Sequence, residues 1–104
     1  MPKFLFVYHG GGMPETPEAQ QAAMDAWGAW YGSMGDKLVD GGAPVAQSYT
    51  VTADAVTQDG GANPASGFTI VDAASYDEAC EMAQGCPMVA DGSGSCEVAQ
   101  MMEM

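Results

Sequence analysis

The only histidine of the chain, His9, ends an apolar stretch that spans residues 4–8. An imidazole titrates near neutral pH and can take up or release a proton, so His9 is the first candidate for a general acid or base. Side chains of a strand alternate between its two faces, which places His9 with Leu5 and Val7 on one face and the three aromatic residues on the other. The alternative interpretation is structural, with His9 serving only as a hydrogen-bonding residue at the end of the strand.

The cysteines and the glycine run offer little further chemistry. Three cysteines are an odd number and lack the close pairs typical of zinc sites, so we expect reduced, packed thiols and no metal site. Residues 10–12 are all glycine but lack the Lys-Ser/Thr ending of a phosphate-binding P-loop and have no basic neighbour, which favours a tight turn. No pattern indicates a cofactor, and we expect none.

The charge balance excludes whole classes of partner. Fourteen Asp and Glu residues face two lysines, which gives a formal net charge of −12 over 104 residues. Such a surface repels nucleic acid and anionic membranes, because binding to either depends on Lys and Arg displacing counterions. No apolar run approaches the ~20 residues that span a bilayer, and the first residues show no secretory signal. We therefore expect a soluble, cytoplasmic protein.

Periodicity and turn residues predict six elements. Thr16 followed by Pro17 is typical of a helix start, and Ser75 begins a capping box before a second helix. Residues 40–44 are predicted as a turn and residues 53–66 as a hairpin tip or loop. In chain order the prediction is strand 4–9, helix 17–34, strand 45–52, strand 67–72, helix 76–84 and strand 95–101.

This order of elements predicts an α+β fold of the ferredoxin-like sandwich type, in which an antiparallel sheet carries both helices on one face. Residues 1–104 fit one such domain, with no linker or internal repeat. The helix-free face of the sheet then carries apolar side chains that need a cover. A two-fold symmetric homodimer is the commonest way to supply one, so we expect a homodimer.

Three loops are expected to meet at the end of the sheet where His9 lies: the glycine loop, residues 53–66 and residues 85–95. Loops held by a rigid scaffold often surround a ligand. We therefore expect a small-molecule pocket over the sheet with His9 at its mouth. Its candidate ligand-binding residues are Tyr8, Ser48, Asn63 and Ser66.

Several segments together resemble the YCII-related (YciI-like) family. They are residues 8–11 (YHGG), 27–30 (WGAW), 35–42 (GDKLVDGG), 60–67 (GGANPASG) and the helix around 75–85. The resemblance covers nearly the whole chain. It implies the ferredoxin-like fold, a dimeric α+β barrel, and an enzyme or ligand binder whose function is uncharacterised in most members.

The family resemblance also implies a paired histidine and aspartate. The family's histidine lies on the first helix, but residues 17–35 of this chain contain none, so we assign its role to His9. Asp36 and Asp40 resemble the family's acidic position loosely and complete the candidate catalytic set. Within one subunit we expect both aspartates at the end of the sheet opposite His9, where they reach it only across a dimer interface.

Two kinds of function fit these features. One is a cofactor-free enzyme acting on a small organic molecule (an isomerase, hydrolase or oxygenase), in which His9 moves a proton; this follows other dimeric α+β barrels by analogy of fold. The other is a non-catalytic ligand-binding or structural dimer. We favour the small-molecule pocket.

Overall fold

Two main helices pack on one face of a four-stranded sheet in the computed structural model, which describes residues 1–12 and 14–103. Met13, part of the predicted glycine loop, lies outside the described residues. In chain order the elements are β1 (Lys3–Gly10), α1 (Pro17–Met34), a 3-10 turn (Gly35–Lys37), β2 (Leu38–Pro44), β3 (Thr50–Val51), β4 (Val56–Thr57), β5 (Ala65–Asp72), α2 (Tyr76–Gln84), α3 (Pro87–Ala90) and β6 (Gly94–Gln100). The chain is a mixed α+β protein.

The main sheet has the strand order β2-β5-β1-β6, and each neighbouring pair is antiparallel. Helix α1 joins β1 to β2, and α2 with α3 joins β5 to β6, so two β-α-β units interleave in one sheet. The predicted alternation along β1 is confirmed. Phe4, Phe6 and Tyr8 are buried in the core with Trp30 and Met34 of α1.

Both main helices have the predicted bounds, because their caps are explicit in the sequence. Thr16 Oγ1 accepts a hydrogen bond from Ala19 N at 3.1 Å, and Pro17 occupies the first turn of α1. Ser75 Oγ accepts one from Glu78 N at 3.2 Å at the start of α2. These bonds satisfy N–H groups that have no partner inside the helix. No helix among the described residues combines the length and the apolar character that crossing a bilayer requires.

The second strand differs from its prediction. Strand 45–52 is wrong: β2 covers Leu38–Pro44, and only two residues of the predicted strand pair, in the small β3–β4 hairpin. The glycines that suggested a turn instead form an irregular strand. Gly42 has φ +70°, and a Cβ there would overlap the carbonyl oxygen of Phe68 on β5. Glycine is required at this position because the two backbones approach too closely for any side chain.

The loop predicted over residues 85–95 is also partly wrong. Pro87 begins the single-turn helix α3, which leads directly towards β6. The proline lacks an N–H and has a fixed φ, so it fits a first helical position as well as it fits a turn.

No described helix packs on the second face of the sheet. Its apolar side chains alternate with the buried ones and remain partly exposed; they are Leu5, Val7, Phe68, Ile70 and Ala99. His9 and Glu97 lie on this same face by strand register. We call this surface the helix-free face.

Candidate ligand-binding site

The loops expected to meet near His9 do come together. Gly11 N donates a hydrogen bond to Ser93 O at 2.9 Å, which joins the glycine loop to the segment before β6. His9 Nδ1 lies 3.0 Å from the carbonyl oxygen of Asn63, which joins β1 to the segment before β5. A cavity of about 810 Å³ opens at this end, between α1 and the sheet.

Four aromatic residues lie on the lining of this space, which we call the aromatic cavity: Tyr8, Trp27, Tyr31 and Phe68. The ring centroid of Trp27 lies 5.3 Å from that of Tyr8 and 5.9 Å from that of Tyr31. The Trp27 and Tyr8 planes are nearly perpendicular at 82°, the edge-to-face arrangement that aromatic quadrupoles favour. The remaining α1 residues on the lining are small, which leaves the space open; they are Ala19, Ala22, Ala23 and Ala26.

The two tryptophans of α1 differ in what they offer a ligand. Trp30 is buried, and its indole N–H donates to the carbonyl oxygen of Met82 at 3.0 Å. Trp27 is only partly buried, and its indole N–H has no acceptor among the described residues. Trp27 therefore lies on the lining of the cavity with an indole N–H that is unpaired within the described residues.

Tyr8 is held in place by a chain of hydroxyl groups. Its Oη donates to Thr69 Oγ1 at 2.7 Å, and Thr69 Oγ1 donates to the carbonyl oxygen of Gly41 at 3.0 Å. Burial is the main cause that raises the pKa of the Tyr8 phenol well above its usual range. Tyr8 therefore remains a neutral hydroxyl at the cavity wall, positioned as a hydrogen-bonding group rather than as a base.

The charge of the aromatic cavity is negative. Asp91 is the one titratable carboxylate on its described lining, and Ser93 N donates to Asp91 Oδ1 at 2.8 Å. Hydrogen bonds from Ser93 hold the pKa of Asp91 below its usual value, so the carboxylate is ionised at neutral pH. The two lysines of the chain pair elsewhere: Lys3 lies 3.8 Å from Asp72, and Lys37 lies 2.8 Å from Glu78.

His9 lies on the other face of the sheet and is not on the lining of the aromatic cavity, at whose mouth it was expected. The alternation that points Tyr8 towards the cavity turns His9 to the helix-free face. There its Nε2 lies 3.0 Å from Glu97 Oε1, and its Nδ1 lies near the carbonyl oxygens of Asn63 and Pro64 at 3.0 and 3.3 Å. All these partners are oxygen atoms within hydrogen-bonding distance of the two ring nitrogens.

The four candidate ligand-binding residues occupy different places. Tyr8 and Ser66 line the aromatic cavity. Asn63 contacts His9 through its backbone carbonyl. Ser48 lies outside the lining, on the segment between β2 and β3. The sequence therefore identified two residues of the wall and did not single out Trp27 or Tyr31.

The two candidate aspartates lie far from His9 within one subunit, as expected. Asp40 pairs with Ile70, which is level with Leu5, four residues or about 13 Å along β1 from His9. Asp40 Oδ1 accepts a hydrogen bond from Gly42 N at 2.8 Å, a local turn contact. Asp36 lies further still, in the 3-10 turn before β2.

Glu97 is the acidic partner of His9 in this fold, and the sequence analysis did not single it out. It lies on β6, which pairs with β1 in a register that sets Ser95 opposite His9. The His9 side chain is only 11% exposed, whereas that of Glu97 is 66% exposed. The fold prediction places the last strand beside the first. The composition of the last strand does not determine the register that brings His9 and Glu97 together.

The cysteines do not form a reactive or metal-binding centre among the described residues. Burial raises the pKa of the Cys86 thiol, and it raises that of Cys96 to about 12. Cys80 is exposed and free. No group of three or more His, Cys, Asp or Glu side chains in the described part of the chain is arranged to hold a metal ion.

Comparison with solved structures finds a protein of similar fold. It is 5-chloro-2-hydroxyhydroquinone dehydrochlorinase from Burkholderia phenoliruptrix AC1100, in complex with 2,5-dihydroxybenzoquinone. The two chains are 20% identical, with a TM-score of 0.57 over 96% of this chain and 95% of that chain. No family model and no curated protein matches this chain. The chain thus shares its fold, over nearly all its length, with an enzyme whose structure was solved in complex with 2,5-dihydroxybenzoquinone.

Proposed function

We propose that this protein binds a small aromatic or similarly planar organic molecule, neutral or positively charged, in the aromatic cavity. The observation that carries the proposal is a space of about 810 Å³ bordered by Tyr8, Trp27 and Tyr31. That volume falls within the range of roughly 300–1,000 Å³ typical of small-molecule sites, which are mostly apolar with a few polar groups. Ser66 and Asp91 are such polar residues on the described lining.

The charge of the ligand follows from the charge of its surroundings. The cavity offers aromatic faces, which attract cations, and the ionised Asp91, with no basic side chain on the described lining. The net charge of −12 adds a long-range field of the same sign. Carboxylates and phosphates are therefore disfavoured as ligands.

The structural neighbour supports the kind of ligand rather than its identity. That enzyme holds 2,5-dihydroxybenzoquinone, a small planar ring, on a fold of nearly the same extent as this one. One fold can support many unrelated functions, so the proposed ligand of this chain rests on the chain's own cavity.

We further propose that the protein is a cytoplasmic homodimer of single-domain, ferredoxin-like subunits that join their helix-free faces into an α+β barrel. The subunit's own helices do not cover that face, so its apolar side chains, such as Val7 and Ile70, remain partly exposed. Burial of apolar area contributes about 25 cal/mol per Å², so covering this face would stabilise a small domain substantially. The free cysteines fit a reducing compartment.

A second candidate function is proton transfer by the pair His9–Glu97. The 3.0 Å contact between His9 Nε2 and Glu97 Oε1 favours it, since a carboxylate orients an imidazole for acid or base chemistry. In the proposed dimer this pair lies at the subunit interface. If the pair is catalytic, Glu97→Gln, a change at the more exposed partner, should abolish turnover and leave the stability nearly unchanged; a marked loss of stability would assign the pair a structural role.

Ligand titration tests the cavity directly with three probes that share one ring. Benzyl alcohol, benzyltrimethylammonium and benzoate are titrated while the intrinsic fluorescence of the tryptophans is measured. We expect saturable binding of the first two and an affinity for benzoate at least about tenfold weaker, which corresponds to 1.4 kcal/mol.

A matched pair of variants locates the binding. Ala22→Phe places a ring in the cavity and should abolish binding, whereas Ala29→Phe makes the same change on an exposed α1 position outside the lining and should retain it. Unaltered binding by Ala22→Phe would show that the probes bind elsewhere, and preferential binding of benzoate would contradict the proposed charge selectivity.

A further inference from the structure

We propose that residues 45–60, the hairpin arm, pack against a second copy of this chain and extend the dimer interface beyond the helix-free face. The inference rests on the proposed homodimer and adds the segment that makes its outer contacts. The hairpin arm contains β3 and β4 and joins β2 to β5.

The apolar side chains of the hairpin arm are left uncovered by their own chain. Val51 and Val56 face each other across the hairpin, and they are 72% and 64% exposed. Tyr49, next to β3, is 55% exposed. Paired residues of antiparallel strands point to the same side, so the two valines form one exposed apolar surface.

The dimensions of the chain indicate that an interface is missing from the single subunit. It exposes 6863 Å², whereas a compact monomer of 10.7 kDa exposes roughly 5,500 Å². The excess exceeds the ~800 Å² that each partner buries in a standard protein interface. The radius of gyration is 14.8 Å, against about 13 Å for a compact domain of this length.

The arm keeps its shape through hydrogen bonds rather than through packing. Gln47 Nε2 donates to Gln58 O at 2.6 Å, and Thr50 Oγ1 donates to Asp59 O at 2.7 Å. A two-stranded hairpin alone is marginally stable in water, so an arm with exposed valines gains most from a surface to pack on.

A second copy is the occupant that the observations favour. Just beyond the arm and before β5, the carbonyl of Asn63 contacts His9 on the helix-free face, so the arm ends beside the surface already assigned to the dimer. The charged residues of the arm are Asp54 and Asp59, with no cation, which disfavours nucleic acid and anionic membranes. Two-fold symmetry lets each arm contact the other subunit in one closed interface.

Sedimentation analysis over a concentration series tests the proposal with two matched variants. Val56→Asp places a charge on the apolar side of the hairpin, and Thr57→Asp places the same charge on its opposite side without touching the Thr50 hydrogen bond. We expect the valine variant to weaken dimerisation by at least about tenfold and the threonine variant to change it by less than about threefold. Equal dimerisation of the valine variant and the wild type would overturn the inference and leave the dimer itself standing. A wild type that stays monomeric throughout would overturn both.

Hydrogen exchange supplies a second readout that does not depend on substitutions. Amides of residues 50–57 should become better protected as the wild type passes from monomer to dimer, and unchanged exchange across that transition would contradict the arm contact. The valine variant should still bind benzyl alcohol, because the substituted position lies outside the aromatic cavity. Failure of the arm inference and failure of the cavity proposal are therefore distinguishable.

Discussion

Replacing Thr69 by valine should destabilise the protein by removing the centre of the hydroxyl chain behind the aromatic cavity. Thr69 is fully buried, accepts from Tyr8 Oη at 2.7 Å and donates to Gly41 O at 3.0 Å. Valine has nearly the same shape but neither donates nor accepts a hydrogen bond. The phenol of Tyr8 then loses its buried acceptor.

The expected loss follows from which groups are left unpaired. A buried polar group without a partner costs about 1–3 kcal/mol. The carbonyl of Gly41 keeps a contact with Tyr31 Oη at 3.3 Å, so the unpaired group is the Tyr8 hydroxyl alone. We therefore expect the lower half of that range, about 1–2 kcal/mol. In a domain of this size, each kcal/mol lowers the melting temperature by about 4–8 °C.

A double-mutant cycle separates this hydrogen bond from changes in packing. Tyr8→Phe removes the hydroxyl that needs a partner, so the double variant Tyr8→Phe/Thr69→Val should be no less stable than Thr69→Val alone. We expect a coupling energy of about 1 kcal/mol from thermal or denaturant unfolding of the four proteins. A melting temperature of Thr69→Val equal to that of the wild type, or strictly additive effects, would refute the hydroxyl chain.

Two further predictions concern thiols and acid. Because burial raises the pKa of two of the three thiols, a thiol reagent at neutral pH should label one cysteine in the folded protein and three after denaturation; mass mapping should find the fast site at Cys80 and the slow sites at Cys86 and Cys96. The hydrogen bond from Lys37 lowers the pKa of Glu78 below its ordinary 4.5, so their pairing stabilises the fold above that pH and is lost as the pH falls through the lowered value. Lys37→Met should therefore reduce the melting temperature slightly at neutral pH and leave it unchanged in strong acid; a difference that persists in acid would contradict the assignment.

The sequence predicted the elements whose ends carry explicit signals. Thr16 and Ser75 are N-caps whose side chains accept hydrogen bonds from the first turn of the helix, so the bounds of α1 and α2 were predicted correctly. The two faces of β1 followed from alternation. The prediction of the second strand was wrong because the glycines before Pro44 are typical of a turn. Gly42 instead allows a close approach between β2 and β5 that exists only in the assembled sheet.

The candidate site was predicted less well, because it depends on relations between distant strands. Side-chain alternation along β1 places Tyr8 and His9 on opposite faces of the sheet, so a pocket over one face cannot contain both side chains. The pairing of His9 with Glu97 depends on the β1–β6 register, which the sequence does not state. Trp27 has the spacing of a core residue, and only the small residues around it on α1 leave it open to a ligand.

The most direct test of the account is an NMR titration that follows the two indole N–H signals, assigned with Trp27→Phe. With benzyl alcohol as the probe, the Trp27 signal should shift and saturate, because Trp27 lines the aromatic cavity. The Trp30 signal should move little, because its N–H is bonded to Met82 O. A Trp27 signal that stays fixed up to the solubility limit of benzyl alcohol, or one that moves no more than that of Trp30, would contradict the claim that this cavity is the binding site.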